Sequence, residues 1–147
     1  MTKLSAGFMI GLAAALVAGV FFQLQQGLEL APDMQPIALM SDRLQALPVT
    51  AWSLHLAVGA LWGVAFARVA QHVPLGPCWL RGVAFGFALF GLVGMTVLPL
   101  AGYGFFAAGL GGAAPIVGLA LHAVFGAVLG LLYAEVRPFY RDAIEAA

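Results

Sequence analysis

The sequence predicts an all-α membrane protein: a four-helix transmembrane bundle made of two tandem two-helix hairpins, a parallel repeat with both termini cytoplasmic. Three observations predict it. The 147 residues are 63% hydrophobic and 8% charged, with a mean hydropathy of +1.03, against about 45–50% apolar and about 25% charged in a soluble domain. Long stretches carry no Asp, Glu, Lys or Arg. Basic residues crowd onto one predicted side.

The lipid core is about 30 Å thick, so about 20 apolar helical residues cross it. Leu4–Leu28 is free of charge for 25 residues, and this gives a first span near 5–24. Lys3 before an apolar run imitates a secretion signal, but no small-x-small cleavage site follows Phe21-Phe22, so the helix is expected to be retained. Leu44–Ala67 is clear for 24 residues, and this gives a second span near 49–70. Gly82–Ala134 is clear for 53 residues, too long for one helix. Pro99, the glycines from Gly102 to Gly112, and Pro115 break it, because proline removes a backbone donor and glycine weakens helix. Spans near 80–99 and 114–135 result, with a flexible or shallow re-entrant connection that places Tyr103, Phe105 and Phe106 at the interface. The whole of 1–147 is one membrane domain. Barrel strands would alternate apolar and polar residues, and these runs are continuously apolar.

Basic residues in short loops orient a membrane protein. Lys3, Arg68, Arg81, Arg137 and Arg141 fall on one side of a four-span chain, and only Arg43 falls on the other, beside Asp33 and Asp42. Trp52, Trp79 and Tyr133 sit near predicted helix ends, as interfacial aromatics do. The segment from Gln25 to Pro48 is the one sizeable polar surface.

A duplicated hairpin is legible. With Pro48 set on Pro115, Leu54-His55 falls on Leu121-His122, Gly59-Ala60 on Gly126-Ala127, Gly63 on Gly130 and Ala67 on Ala134, without a gap. The first helices align more weakly, Gly7 on Gly82 and Gly11 on Gly86. The repeat units span about 5–70 and 80–136, and two spans per unit give both copies one orientation.

Residues four apart share a helix face. The second and fourth spans carry His55-x3-Gly59-x3-Gly63-x3-Ala67 and His122-x3-Gly126-x3-Gly130-x3-Ala134. The first carries Gly7-x3-Gly11-x3-Ala15-x3-Gly19; in the third, Phe90 interrupts the run from Gly82 and Gly86 before Gly94. Small residues let backbones approach where van der Waals packing drives association, so these glycines and alanines are expected to be packing positions. The two histidines sit at equal depth. Polar groups there face the bundle interior or another protein. Three readings compete: an interhelical hydrogen bond, for example from His55 to a carbonyl or to Thr96; paired ligation of haem b, with space cleared by the glycine one turn on; or another metal, a quinone head-group contact or a proton step. His72 is expected in a solvated loop.

No carboxylate lies deep in a span, and no nucleophile has a base at suggestive spacing, so the chain reads as non-catalytic. Cys78 stands alone, which precludes an internal disulfide. The net charge is zero with no basic patch, which argues against a nucleic-acid partner. The glycine-rich connection has no GK[ST] and is no phosphate cradle.

The Trp52-x2-His55-x3-Gly59-x3-Gly63 string, the Gly76-Pro77-x-Trp79-Leu80-Arg81-Gly82-x3-Gly86 string and the Leu121-His122-x3-Gly126-x3-Gly130-x2-Tyr133-Ala134 string resemble an uncharacterised family of small four-span bacterial inner-membrane proteins. The resemblance implies that fold and a bacterial inner-membrane location, multi-pass, and brings no activity. The functional expectation is an accessory or structural subunit of a larger inner-membrane complex, respiratory or photosynthetic, or else a homo-oligomer in the bilayer. The alternatives are a small b-type cytochrome using His55 and His122, and a small carrier or quinone-interacting protein.

Overall fold

In the computed structural model the backbone of residues 2–145 and the side chains of 2–138 are described. Among them every regular element is helical. α1 (Lys3–Gly27) opens on a capping bond: the Ser5 N–H donates to Thr2 Oγ1 at 3.1 Å, filling one of the first-turn donors that have no intrahelical partner. α2 is a short helix (Pro36–Leu44), and α3 (Pro48–Val69) runs on through a 3₁₀ turn to His72. Both begin at a proline, whose missing N–H costs nothing at a first helical position. α4 (Cys78–Leu92) continues through a π-helical segment (Val93–Val97) into one last turn, α5 (Leu98–Leu100). After a 3₁₀ stretch (Phe105–Leu110), α6 (Ala114–Glu145) closes the chain.

Among the described residues, four helical stretches are long and apolar enough to cross a membrane: Lys3–Gly27, Pro48–His72, Cys78–Leu100 and Ala114–Pro138. α6 stays helical past residue 135, through an internal Pro138.

α1 packs on α3 and α4 on α6, and the two pairs join chiefly through α1 and α6. α3 and α4 meet instead through rings, with Phe85 centred 5.3 Å from Phe66 and 6.3 Å from Trp62. Within the pairs the backbones nearly touch. A Cβ added at Gly63 would stand 2.2 Å from the Gly7 carbonyl oxygen, and one at Gly11 would stand 2.4 Å from that of Gly59. In the other pair a Cβ at Gly82 would meet the Gly126 oxygen at 1.9 Å, one at Gly86 the His122 oxygen at 2.1 Å, and one at Gly130 the Cys78 oxygen at 2.2 Å. Ala67 is buried, while Ala134 is exposed. The helices approach this closely because there is no side chain to hold them apart.

Three features differ from the sequence expectation. The α1–α3 connection contains helix α2, whose Pro36 start and Ile37, Met40, Ser41, Leu44 spacing is a short amphipathic pattern; Ile37 and Ser41 are buried. Tyr133 is not an interfacial anchor. It is 2% exposed and packs on Phe66 with centroids 5.4 Å apart, because it shares the inward side of α6 with the packing glycines. The 102–112 connection folds inward. Phe106 and Ala107 take left-handed backbone angles (φ 54° and 67°), unusual for residues with a Cβ, and the Phe106 ring lies over Gly94 and 5.3 Å from Phe90.

At one end of the bundle, Lys3 Nζ donates to Gln71 Oε1 at 3.0 Å, and Arg81 donates to the carbonyls of Leu75 (2.6 Å) and Ala70 (3.1 Å). α2 lies at the opposite end. His72 is exposed, 3.5 Å from the Gln71 amide nitrogen.

Candidate functional site: an apolar cavity between two histidines

His55 and His122 border one cavity of about 220 Å³. Its other walls are apolar side chains such as Ala18 and Phe22 of α1, Trp62 of α3, Leu89 of α4 and Phe125 of α6. Both rings therefore border one cavity.

Their hydrogen bonds fix their tautomers. His55 Nε2 lies 3.0 Å from the carbonyl oxygen of Ala15 on α1. A carbonyl only accepts, so His55 carries its proton on Nε2 and leaves Nδ1 as a lone-pair acceptor. His122 uses the other nitrogen: Nδ1 donates at 2.8 Å to Gly118 O, one turn back on α6, and Nε2 keeps the lone pair. Neither remaining nitrogen has a protein partner among the described residues. The interhelical bond expected of a membrane histidine is present at His55 and runs to a carbonyl. Thr96 instead donates to Leu92 O in its own helix.

The two rings meet different neighbours. Four residues past Gly11 stands Ala15, small enough for α3 to bring His55 onto its backbone. Four residues past Gly86 stands Phe90. Its ring is centred 5.4 Å from His122 and lies 3.0 Å from where a Gly118 Cβ would sit. The phenyl ring packs on the His122 ring, which bonds within its own helix, while the α4 backbone itself meets α6 at Gly86. Phe22 (5.1 Å) and Trp52 (5.8 Å, edge-on) flank His55 in the same way.

The glycine one turn on from each histidine does not clear room for a porphyrin. A Cβ at Gly59 would lie 2.3 Å from the Ala15 methyl carbon, and one at Gly126 would lie 2.1 Å from Gly82 O. That space belongs to the neighbouring helix. Among the described residues no three His, Cys, Asp or Glu side chains gather as a metal site would need.

A second, larger cavity of about 410 Å³ adjoins the first on the α2 side, and the two share Phe22, Met40, Val93, Leu121 and His122 as walls. α2, the π-helical segment and the inward-folded 3₁₀ stretch enclose it. Val93 begins the π segment, an irregularity frequent at functional sites. At the cavity's edge Arg43 Nε donates to Tyr103 Oη at 3.1 Å, with the guanidinium 5.1 Å from the ring centre. Sequence reasoning missed this pair. Arg43 stood out as the lone cation of its side, but its partner is 60 residues away in the chain.

The model of a family described as "Family of unknown function (DUF6789)" matches residues 1–140. No curated protein matches the chain, and no solved structure does.

Proposed function

We propose, for a chain that belongs to DUF6789, a family of unknown function, that it is a non-catalytic membrane subunit holding the head group of a membrane-soluble quinol between His55 and His122. One observation carries the reading: two imidazoles border one apolar cavity, each with a ring nitrogen that has no partner among the described residues. Both NH groups are already bonded to carbonyls, so the free nitrogens are acceptors. An occupant that satisfies them brings proton donors. A quinol supplies two hydroxyl groups on a flat apolar ring and is soluble in the bilayer. The aromatic walls suit such a ring. Val58, a wall residue of α3, is 40% exposed, which supports access from the lipid between α3 and α4.

The surroundings follow from the same argument. A tandem repeat of two hairpins accounts for histidines at matched positions. The cluster of basic residues beside α3 and α4 supports a bacterial inner-membrane setting with both termini cytoplasmic. α4 and the π-helical segment leave Trp79, Phe87 and Met95 exposed, a surface suited to lipid or to a larger respiratory or photosynthetic assembly in which this chain is an accessory subunit.

The test is extraction. Full-length protein purified from its native membrane in mild detergent is extracted with organic solvent, and quinone is read by redox difference absorbance. Wild type is expected to yield stoichiometric quinone, and His122→Leu severalfold less at an unchanged melting temperature. Quinone-free wild type with a flat Soret region sinks the proposal. A Soret band lost in both His55→Ala and His122→Ala would assign the pair to haem b instead, through the same two lone pairs.

A further inference from the structure

We propose that the outer cavity beneath α2 binds a long-chain carboxylate, its head group on Arg43 and its chain among the cavity walls. The inference uses a different cavity and a different polar group from the quinol reading and stands without it.

The cavity, about 410 Å³, lies within the range of about 300–1,000 Å³ typical of small-molecule sites. Its walls are almost wholly apolar, among them Met40, Leu44, Val97 and Leu110. Arg43 stands in the last turn of α2 and borders it. The guanidinium is already positioned: Nε is bonded to Tyr103 Oη and the plane lies against the Tyr103 ring. Its terminal nitrogens have no hydrogen-bond partner, and no carboxylate pairs with it among the described residues. Asp42 is its chain neighbour, and Asp33 and Glu29 lie in the same connection, yet none forms an ion pair with it.

A guanidinium presents paired N–H groups in a plane that matches a carboxylate, and the charged pair is stronger than a neutral one. The remaining described cations, Lys3, Arg68, Arg81 and Arg137, belong to the other end of the bundle or its loop. An anion arriving at the α2 end therefore has one cation to meet, at the edge of an apolar cavity. That arrangement selects an amphiphile with one acidic head and an apolar chain. The wall is partly built from strained backbone: Ala107, at φ 67°, lines it. Such strain persists where surrounding structure enforces it and gathers at ligand sites.

The experiment is native mass spectrometry of the full-length protein released from detergent micelles, titrated with palmitate, cetyl alcohol, cetylamine or palmitoyl lysophosphatidylglycerol. Saturable palmitate binding is expected, with cetylamine not binding. Arg43→Gln should weaken palmitate about tenfold, the scale of one charge-assisted pair, and leave cetyl alcohol unchanged; Arg43→Lys should keep part of the effect. Leu110→Trp, on a wall of this cavity alone, should reduce palmitate and cetyl alcohol together. Equal binding of palmitate and cetyl alcohol, unaffected by Arg43→Gln, would overturn the proposal as non-specific apolar insertion. Displacement of palmitate by the lysolipid at lower concentration would overturn the carboxylate assignment in favour of a phosphate head.

Discussion

The Phe90 ring lies tilted against His122, centroids 5.4 Å apart, whereas His55 reaches the Ala15 carbonyl on α1. The two helix pairs also pack about one turn out of step, since a Cβ at Gly11 would meet the Gly59 oxygen and one at Gly86 the His122 oxygen. Phe90 packs on the His122 ring, which is bonded to Gly118, and forms part of the wall of the larger cavity.

The close backbone contact between α1 and α3 should be intolerant of a single methyl group. Gly63→Ala places a Cβ 2.2 Å from the Gly7 oxygen, and overpacking of this kind costs about 1–3 kcal/mol. Gly91→Ala meets nothing within 4 Å and should be neutral or stabilising by up to about 1 kcal/mol, the helix propensity difference. Reversible unfolding in mixed micelles reads both. Equal effects would refute the contact.

The two histidines should differ in stability although they match in sequence. His55→Leu removes a bond between helices, worth on average about 0.6 kcal/mol in membrane proteins. His122→Leu removes one within α6, which leaves helix association untouched. The same unfolding assay should show a loss for His55→Leu and little change for His122→Leu.

The inward fold of the 3₁₀ stretch depends on Gly94. A Cβ there would stand 2.4 Å from Phe106 Cδ1, so Gly94→Leu should expel the ring. Hydrogen exchange across residues 103–110 should then accelerate severalfold, with exchange in α1 unchanged. An unaltered rate would mean that Phe106 is held by something other than its seat on Gly94.

Arg81 secures the α3–α4 loop through two carbonyls. Hydrogen bonds to charged groups contribute about 1.5–3 kcal/mol each when buried, and less here because Arg81 is half-exposed. Arg81→Lys cannot span both oxygens with a point-like ammonium. Faster proteolysis between Val73 and Pro77 is expected, with the long helices intact.

Much of the architecture was legible in the chain because the bilayer argument is one of length and charge. A run without charge needs no tertiary information to be recognised, and proline and glycine mark where a helix must stop. Helix α2 was missed because nine residues carry too little periodicity to stand out in a polar connection. The burial of Tyr133 was missed because position near a helix end says nothing about which face a side chain takes. The Arg43–Tyr103 contact was out of reach, since nothing local couples residues 60 apart.

By itself the amino-acid order determined the four apolar helices and the small-residue faces, since these follow from composition and from the 3.6-residue period. Which ring nitrogen each histidine leaves unpaired, the ring-filled gap between α3 and α4, and the cavities beside it were decided only in three dimensions. Those features depend on how near one backbone comes to another, and that distance is set by the side chains of both partners at once.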